Sequence, residues 1–68
     1  MKVKIKLKQA MKEKGITQMQ LSEIANVRQA AISELCRNAR TEINLDMLSR
    51  IAEALEIKDI SQLLEFEE

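Results

Sequence analysis

The chain is poor in the residues that punctuate or staple a fold. Its 68 residues include no proline, histidine, tryptophan or tyrosine, and only one glycine, one cysteine and one phenylalanine. A lone cysteine excludes an intrachain disulfide, and without histidine a multi-ligand Cys/His metal site has nothing to build from. A nucleophile–base pair lacks its usual base, and there is no glycine-rich phosphate loop, so no metal, cofactor or catalysis is expected. Scarce proline and glycine argue against long loops and a β-rich fold. No run approaches the roughly 18 apolar residues of a membrane span, and no signal-peptide pattern appears. The expected location is the cytoplasm, where Cys36 stays reduced.

What is present is a helical apolar pattern. Leu, Ile, Val, Ala and Met recur at spacings of three and four, enough for one small domain. The net charge is zero, yet residues 1–40 hold nine Lys/Arg against three Asp/Glu, and residues 41–68 hold two against eight. That +6/−6 division reads either as a polyanion-facing half beside an acidic half or as chance segregation on a solvated surface.

Residues 1–6 alternate, with Val3 and Ile5 on one side and Lys2, Lys4 and Lys6 on the other. Leu64 and Phe66 alternate with Glu65 and Glu67 at the other end. Antiparallel pairing would set lysine against glutamate, giving a short ribbon within one chain or between two protomers. The alternative is two frayed termini.

Between them the pattern predicts five helices, an all-α bundle. Leu7, Ala10 and Met11 form the first stripe, which Gly15 ends. Thr17 and Gln20 make a capping box for the second helix, with Ile16 and Leu21 as its hydrophobic staple. Leu21, Ile24 and Ala25 are its expected buried face, Asn26 a left-handed turn residue and Val27 an apolar plug. The third helix runs over about 29–37, with Ile32, Leu35, Ala31 and Cys36 inward, and Asn38 suits a left-handed end. Asn44 caps the fourth, with Ile43 and Leu48 as staple, and Leu45, Leu48, Ile51, Ala52 and Leu55 are expected to be buried. Asp59 caps a fifth through Leu64, with Gln62 at the box position.

Removing the buried positions leaves Gln29, Ala30, Ser33, Glu34 and Arg37 on one face of the third helix. Small residues allow close approach, and glutamine matches the N6/N7 edge of adenine. Gln18 occupies the first turn of the second helix, where unpaired amides and the dipole favour a phosphate. Arg28, Arg37 and Arg40 bracket the third helix, a layout that straddles phosphates across a groove. Cys36 reads as a small, partly buried helix residue, since no second cysteine is there to resolve it.

Through ITQ at 16–18 with Leu21, ANV at 25–27, AIS-x-L at 31–35 and INLDMLSRIAEALEI at 43–57, the chain resembles the Cro/C1-type (XRE-type) helix-turn-helix regulators. The likeness runs from about Leu7 to Leu64 and implies a five-helix, lambda-repressor-like domain that binds operator DNA and usually represses transcription. It assigns phosphate contacts to Gln18, Arg28, Arg37, Asn38 and Arg40, and base contacts to Gln29, Ala30 and Glu34 with Ser33 beside them. Ser22 stands where the family usually has alanine, Asn26 where it has the turn glycine, and Arg28 where Ser or Thr commonly caps the third helix, a loss of about 1 kcal/mol. Glu34 near phosphates needs cytosine N4 or a cation such as Arg37.

Two functions follow. One is a double-stranded-DNA-binding repressor acting as a homodimer on two half-sites. The other is a protein-binding adaptor or antitoxin-type component, docking a partner on Glu53, Glu56, Glu65, Glu67 and Glu68. The dimer contact is expected at the termini or on an exposed face of the last two helices.

Overall fold

Each α-helix among the described residues ends in the same way, with a left-handed residue at its C-cap or one position beyond. These are Gly15 (φ 67°), Asn26 (55°), Asn38 (55°) and Glu56 (57°). After each, an amide reaches back five residues: Ile16 to the Met11 carbonyl, Val27 to Ser22, Ala39 to Glu34 and Ile57 to Ala52, at 2.8–3.2 Å. This is the Schellman closure, which satisfies carbonyls that a helix end otherwise leaves unpaired. Val27 and Ile57 then drop into the core. The turns at Gly15 and Asn26 join successive helices through links of only three residues, without proline.

The computed structural model describes residues 1–39 and 42–67. The elements in order are β1 (Lys2–Ile5), α1 (Leu7–Lys14), α2 (Gln18–Ala25), α3 (Gln29–Cys36), α4 (Leu45–Ala54), a 3₁₀ turn at Ile60–Gln62 and β2 (Leu64–Glu67). The capping box of α2 is complete: Gln20 N–H donates to Thr17 Oγ1 (3.1 Å) and Thr17 N–H to Gln20 Oε1 (2.9 Å). Asn44 Oδ1 caps α4 by accepting from Met47 N–H at 3.1 Å. Leu7, Leu21, Ile32, Leu35, Ile51 and Leu63 are the most completely enclosed side chains, one or more from nearly every segment. Each such burial contributes about 1.5–3 kcal/mol, so the core rather than helix propensity holds these short helices.

The expected fifth helix is not formed; there are four α-helices among the described residues. Asp59 does cap, but its Oδ1 accepts from both Ser61 N–H (2.9 Å) and Ser61 Oγ (2.8 Å), closing a single 3₁₀ turn. Beyond it the period-2 alternation of Leu64 and Phe66 prevails. Lys6 N–H donates to the Leu63 carbonyl at 2.7 Å and draws the chain into a strand. The fold is therefore helical with one small sheet. β1 and β2 pair antiparallel within the chain, in the register Lys2↔Glu67, Val3↔Phe66, Lys4↔Glu65, Ile5↔Leu64.

Two expected core residues lie outside. Ile24 is 61% exposed and Leu45 74%. At about 100° per residue, the packed face of α2 is centred between Leu21, Ala25 and Ser22, leaving Ile24 roughly 110° away. Leu45 similarly lies about 90° from the Leu48–Ile51–Leu55 row, in the overhanging first turn of α4. No helix among the described residues is long and apolar enough to cross a membrane.

Candidate nucleic-acid interface

The exposed side of α3 is a consequence of what its other side buries. Ala31, Ile32 and Leu35 are core, and Cys36 is half-buried beside them. The remaining positions, Gln29, Ala30, Ser33, Glu34 and Arg37, fall within an arc of about 140° facing away from the core. Gln29, Ala30 and Arg37 are exposed, while Ser33, within the arc, and Glu34, at its edge, are half-buried. All five lie on one surface.

The angle at which α3 is presented depends on the turn before it, and three contacts hold that turn. Asn26 takes the left-handed conformation. Ser22 Oγ donates to the Val27 carbonyl at 2.6 Å, so the serine that replaces an expected alanine ties the turn shut. Arg50, from α4, donates through Nη1 to the Asn26 carbonyl at 3.0 Å. Its Nε and Nη2 meanwhile donate to Asp46 Oδ2 at 3.1 and 2.6 Å, which keeps the guanidinium aimed. Sequence reasoning missed Arg50, and nothing local could have revealed a contact spanning 24 residues.

Arg28 is the N-cap of α3 and supplies no side-chain cap, in keeping with its poor chemistry for that position; its guanidinium side is exposed instead. Gln18 is the first helical residue of α2 and half-buried. In α2, Thr17 satisfies the Gln20 amide, leaving those of Gln18 and Met19 with no carbonyl of the preceding turn to bond. Arg40 and Glu68 lie outside the described residues.

Asn38 does something the sequence did not announce. Ile5 N–H donates to its Oδ1 at 2.7 Å, and its Nδ2 donates to the Ile5 carbonyl at 3.0 Å. The side-chain amide thus mimics a third strand along the outer edge of β1, fastening the ribbon to the end of α3. One Nδ2 hydrogen remains for another acceptor.

The charge division of the sequence is also redrawn in space. Lys4 Nζ lies 3.4 Å from Glu65 and Lys6 Nζ 3.9 Å, while Lys2 faces Glu67 across the ribbon. Part of the basic half and part of the acidic half therefore neutralise one another. On the inner side of α3, Cys36 Sγ sits 3.7 Å from Met11 Sδ. Burial pushes its thiol above the ordinary value, and Lys8 only partly offsets that, so the neutral form dominates near pH 7. Among the described residues no cluster of three His, Cys, Asp or Glu is placed to hold a metal ion.

Two short helices joined by a left-handed turn, the second with its polar face outward, make up a helix-turn-helix, and a family model of that description matches residues 7–63. The chain belongs to the Cro/C1-type helix-turn-helix family. This family membership places it among DNA-binding regulators rather than enzymes. Among solved structures, the helix-turn-helix chain is similar to one described as a "putative DNA-binding protein" from Bacteroides fragilis. The two share 32% identity over 93% of this chain and 98% of that one, with a TM-score of 0.79. No curated protein matches.

Proposed function

We propose that this protein is a sequence-specific repressor, cytoplasmic and homodimeric, that lays α3 in the major groove of operator DNA. Gln29, Ala30, Ser33 and Glu34 meet base edges; Gln18, Arg28, Arg37 and Arg40 meet phosphates, with the spare Nδ2 hydrogen of Asn38 beside them. The observation that carries this reading is the uninterrupted outward face of α3, held in place by the Ser22 and Arg50 ties on the turn. Glutamine at the first exposed position can read adenine bidentately, and Ala30 lets the helix approach. The arginines at each end supply backbone charge, each released counterion adding about 0.9 to the salt slope. The adaptor reading has weaker support, because the acidic residues it needs are divided between the end of α4 and a ribbon where lysines pair with them.

Selection from a random duplex pool at about 0.15 M salt tests the reading. The expected product is a two-fold motif with half-sites about 10 base pairs apart. On that motif Gln29→Ala should relax the preference at one base by about 1–3 kcal/mol, while Arg37→Ala weakens all duplexes alike and lowers the salt slope by about one. Enrichment of no motif, with only salt-sensitive background binding, would overturn sequence-specific recognition.

A further inference from the structure

Helices α1 and α3 meet along a seam at which Met11 Sδ lies 3.7 Å from Cys36 Sγ. On the core side of that seam stand Leu7 of α1 and Ile32 of α3, both fully enclosed. On the outer side, the next positions of α1 beyond Met11 are Lys8 and Lys12, roughly 60° and 100° further round. The matching positions of α3 beyond Cys36 are Gln29 and Ser33, roughly 20° and 60° further round. Both helices turn their core residues to the same side of the seam, so these outer flanks share the opposite side. A lysine flank of α1 therefore borders the outward face of α3.

The other flank of α1 is engaged elsewhere. Gln9 Nε2 donates to Glu13 Oε1 at 3.4 Å, and both side chains border a small polar cleft with Asp59, Ser61 and Gln62. The helix thus turns its amide and its acid towards the C-terminal turn and two of its lysines towards α3. Those two lysines are exposed and uncommitted. Lys4 and Lys6 of the ribbon are held by Glu65, and Arg50 by Asp46, whereas no carboxylate among the described residues lies within ion-pair distance of Lys8 or Lys12. Lys8 is close enough to Cys36 for its charge to favour the thiolate, which places it beside the last turn of α3. Like charges one turn apart destabilise a helix, a cost that an anion lying across both would remove.

We propose that Lys8 and Lys12 form a second phosphate-contacting ridge, on a helix outside the helix-turn-helix, whose occupant is the DNA strand bordering the groove on the α1 side. The proposal rests on the DNA-binding reading above. The two lysines leave α1 about 6 Å apart along its axis, which suits neighbouring phosphates of one strand. The ridge is continuous with the α3 face across the Met11–Cys36 contact, so a duplex that seats α3 passes over it. Contacts of this kind position the backbone and carry no base information. The ridge therefore adds affinity without changing which sequence is read.

The test is the salt dependence of DNA binding by the full chain, from about 0.05 to 0.2 M salt. Lys8→Gln, Lys12→Gln and the double variant are titrated against the duplex enriched by selection and against a mixed-sequence duplex of the same length. Each single variant should lower the salt slope by about 0.9 on both duplexes, and the double by about 1.8. Across that salt range wild type should then lose about 3.5-fold more affinity than either single variant. The ratio of the two affinities should not change. Lys58→Gln removes the same charge from an exposed position beyond α4 and should leave the slope as in wild type; circular dichroism checks the fold of all four. The ridge is overturned if the α1 variants keep the wild-type slope, or if Lys58→Gln lowers it as much as they do. If selection enriches no motif, the slopes on the mixed-sequence duplex still decide for or against the ridge. If Gln29→Ala relaxes the base preference while the α1 slopes are unchanged, recognition stands and the ridge falls. Wild type that binds neither duplex would overturn both.

Discussion

Replacing Asn38 separates two contributions that this residue makes at one position. Its backbone is left-handed, and its side chain fastens β1 through two hydrogen bonds of 2.7 and 3.0 Å. Asn38→Gly keeps the backbone comfortable and removes the bonds. Each bond contributes about 0.5–1.5 kcal/mol, and both are exposed, so the lower half of that range applies; glycine also gains slightly in the left-handed region. The net cost is about 1 kcal/mol, or about 4–8 °C in Tm for a domain of this size. Asn38→Ala removes the bonds and also forces a Cβ-bearing residue without a helpful side chain into left-handed backbone, a further cost of about 1 kcal/mol. Urea unfolding followed by circular dichroism measures both. The sharper assay is hydrogen exchange at the Ile5 amide, whose acceptor is the Asn38 side chain: both variants should leave it fast-exchanging while the Lys6 amide, bonded to the Leu63 carbonyl, stays protected. If Ile5 exchanges as slowly in Asn38→Gly as in wild type, or if Asn38→Ala is no less stable than Asn38→Gly, the account of this residue is wrong.

Other substitutions bear on the turns and their ties. Among the described left-handed residues Glu56 is neither glycine nor asparagine, and Glu56→Gly should stabilise the protein by about 1 kcal/mol, seen as a higher urea midpoint with unchanged slope. Arg50→Ala should cost about 1 kcal/mol and speed exchange in the turn between α2 and α3, whereas Asp46→Asn, which loosens only an exposed i,i+4 pair, should cost about 0.3–0.5 kcal/mol. Equal effects would mean that the bond to the Asn26 carbonyl contributes nothing. Hydrogen bonds from Ser61 hold the Asp59 carboxyl below its ordinary value. What that carboxylate adds to stability is present above the unfolded-state value near 3.9 and is lost as the pH falls through the lower folded one. An NMR titration should therefore find Asp59 ionising below about 3.9, and Ser61→Ala should return it towards that value.

Much of this architecture was legible because it is written in short-range code. Thr17 with Gln20, Asn44, Gly15, Asn26 and the alternation at both ends each act within a few residues, through caps, turn conformations or a period of two. The alternation at the termini suggested an antiparallel ribbon, within one chain or between protomers, beside the alternative of frayed ends; the register, which a shift of two residues would satisfy equally, came from the structure. The α3 stripe was found by the same reasoning, as the positions left once the core row is removed. Glu56 was missed because glutamate gives no local sign of left-handed backbone; Ile57, pulled into the core, imposes it. Ile24 and Leu45 were misplaced because a periodic pattern defines a stripe but not where its centre meets a neighbour.

What the sequence determined by itself is therefore an inventory: four of the five expected helices, most of their starts and stops, and the residues that α3 offers outward. Tertiary structure alone decided that the segment after α4 closes a 3₁₀ turn and pairs with β1, that Arg50 locks the angle of α3, and that Asn38 joins α3 to the ribbon. These outcomes depend on contacts between residues 24, 33 or more than 50 positions apart, whose energies appear only once the core has brought the segments together.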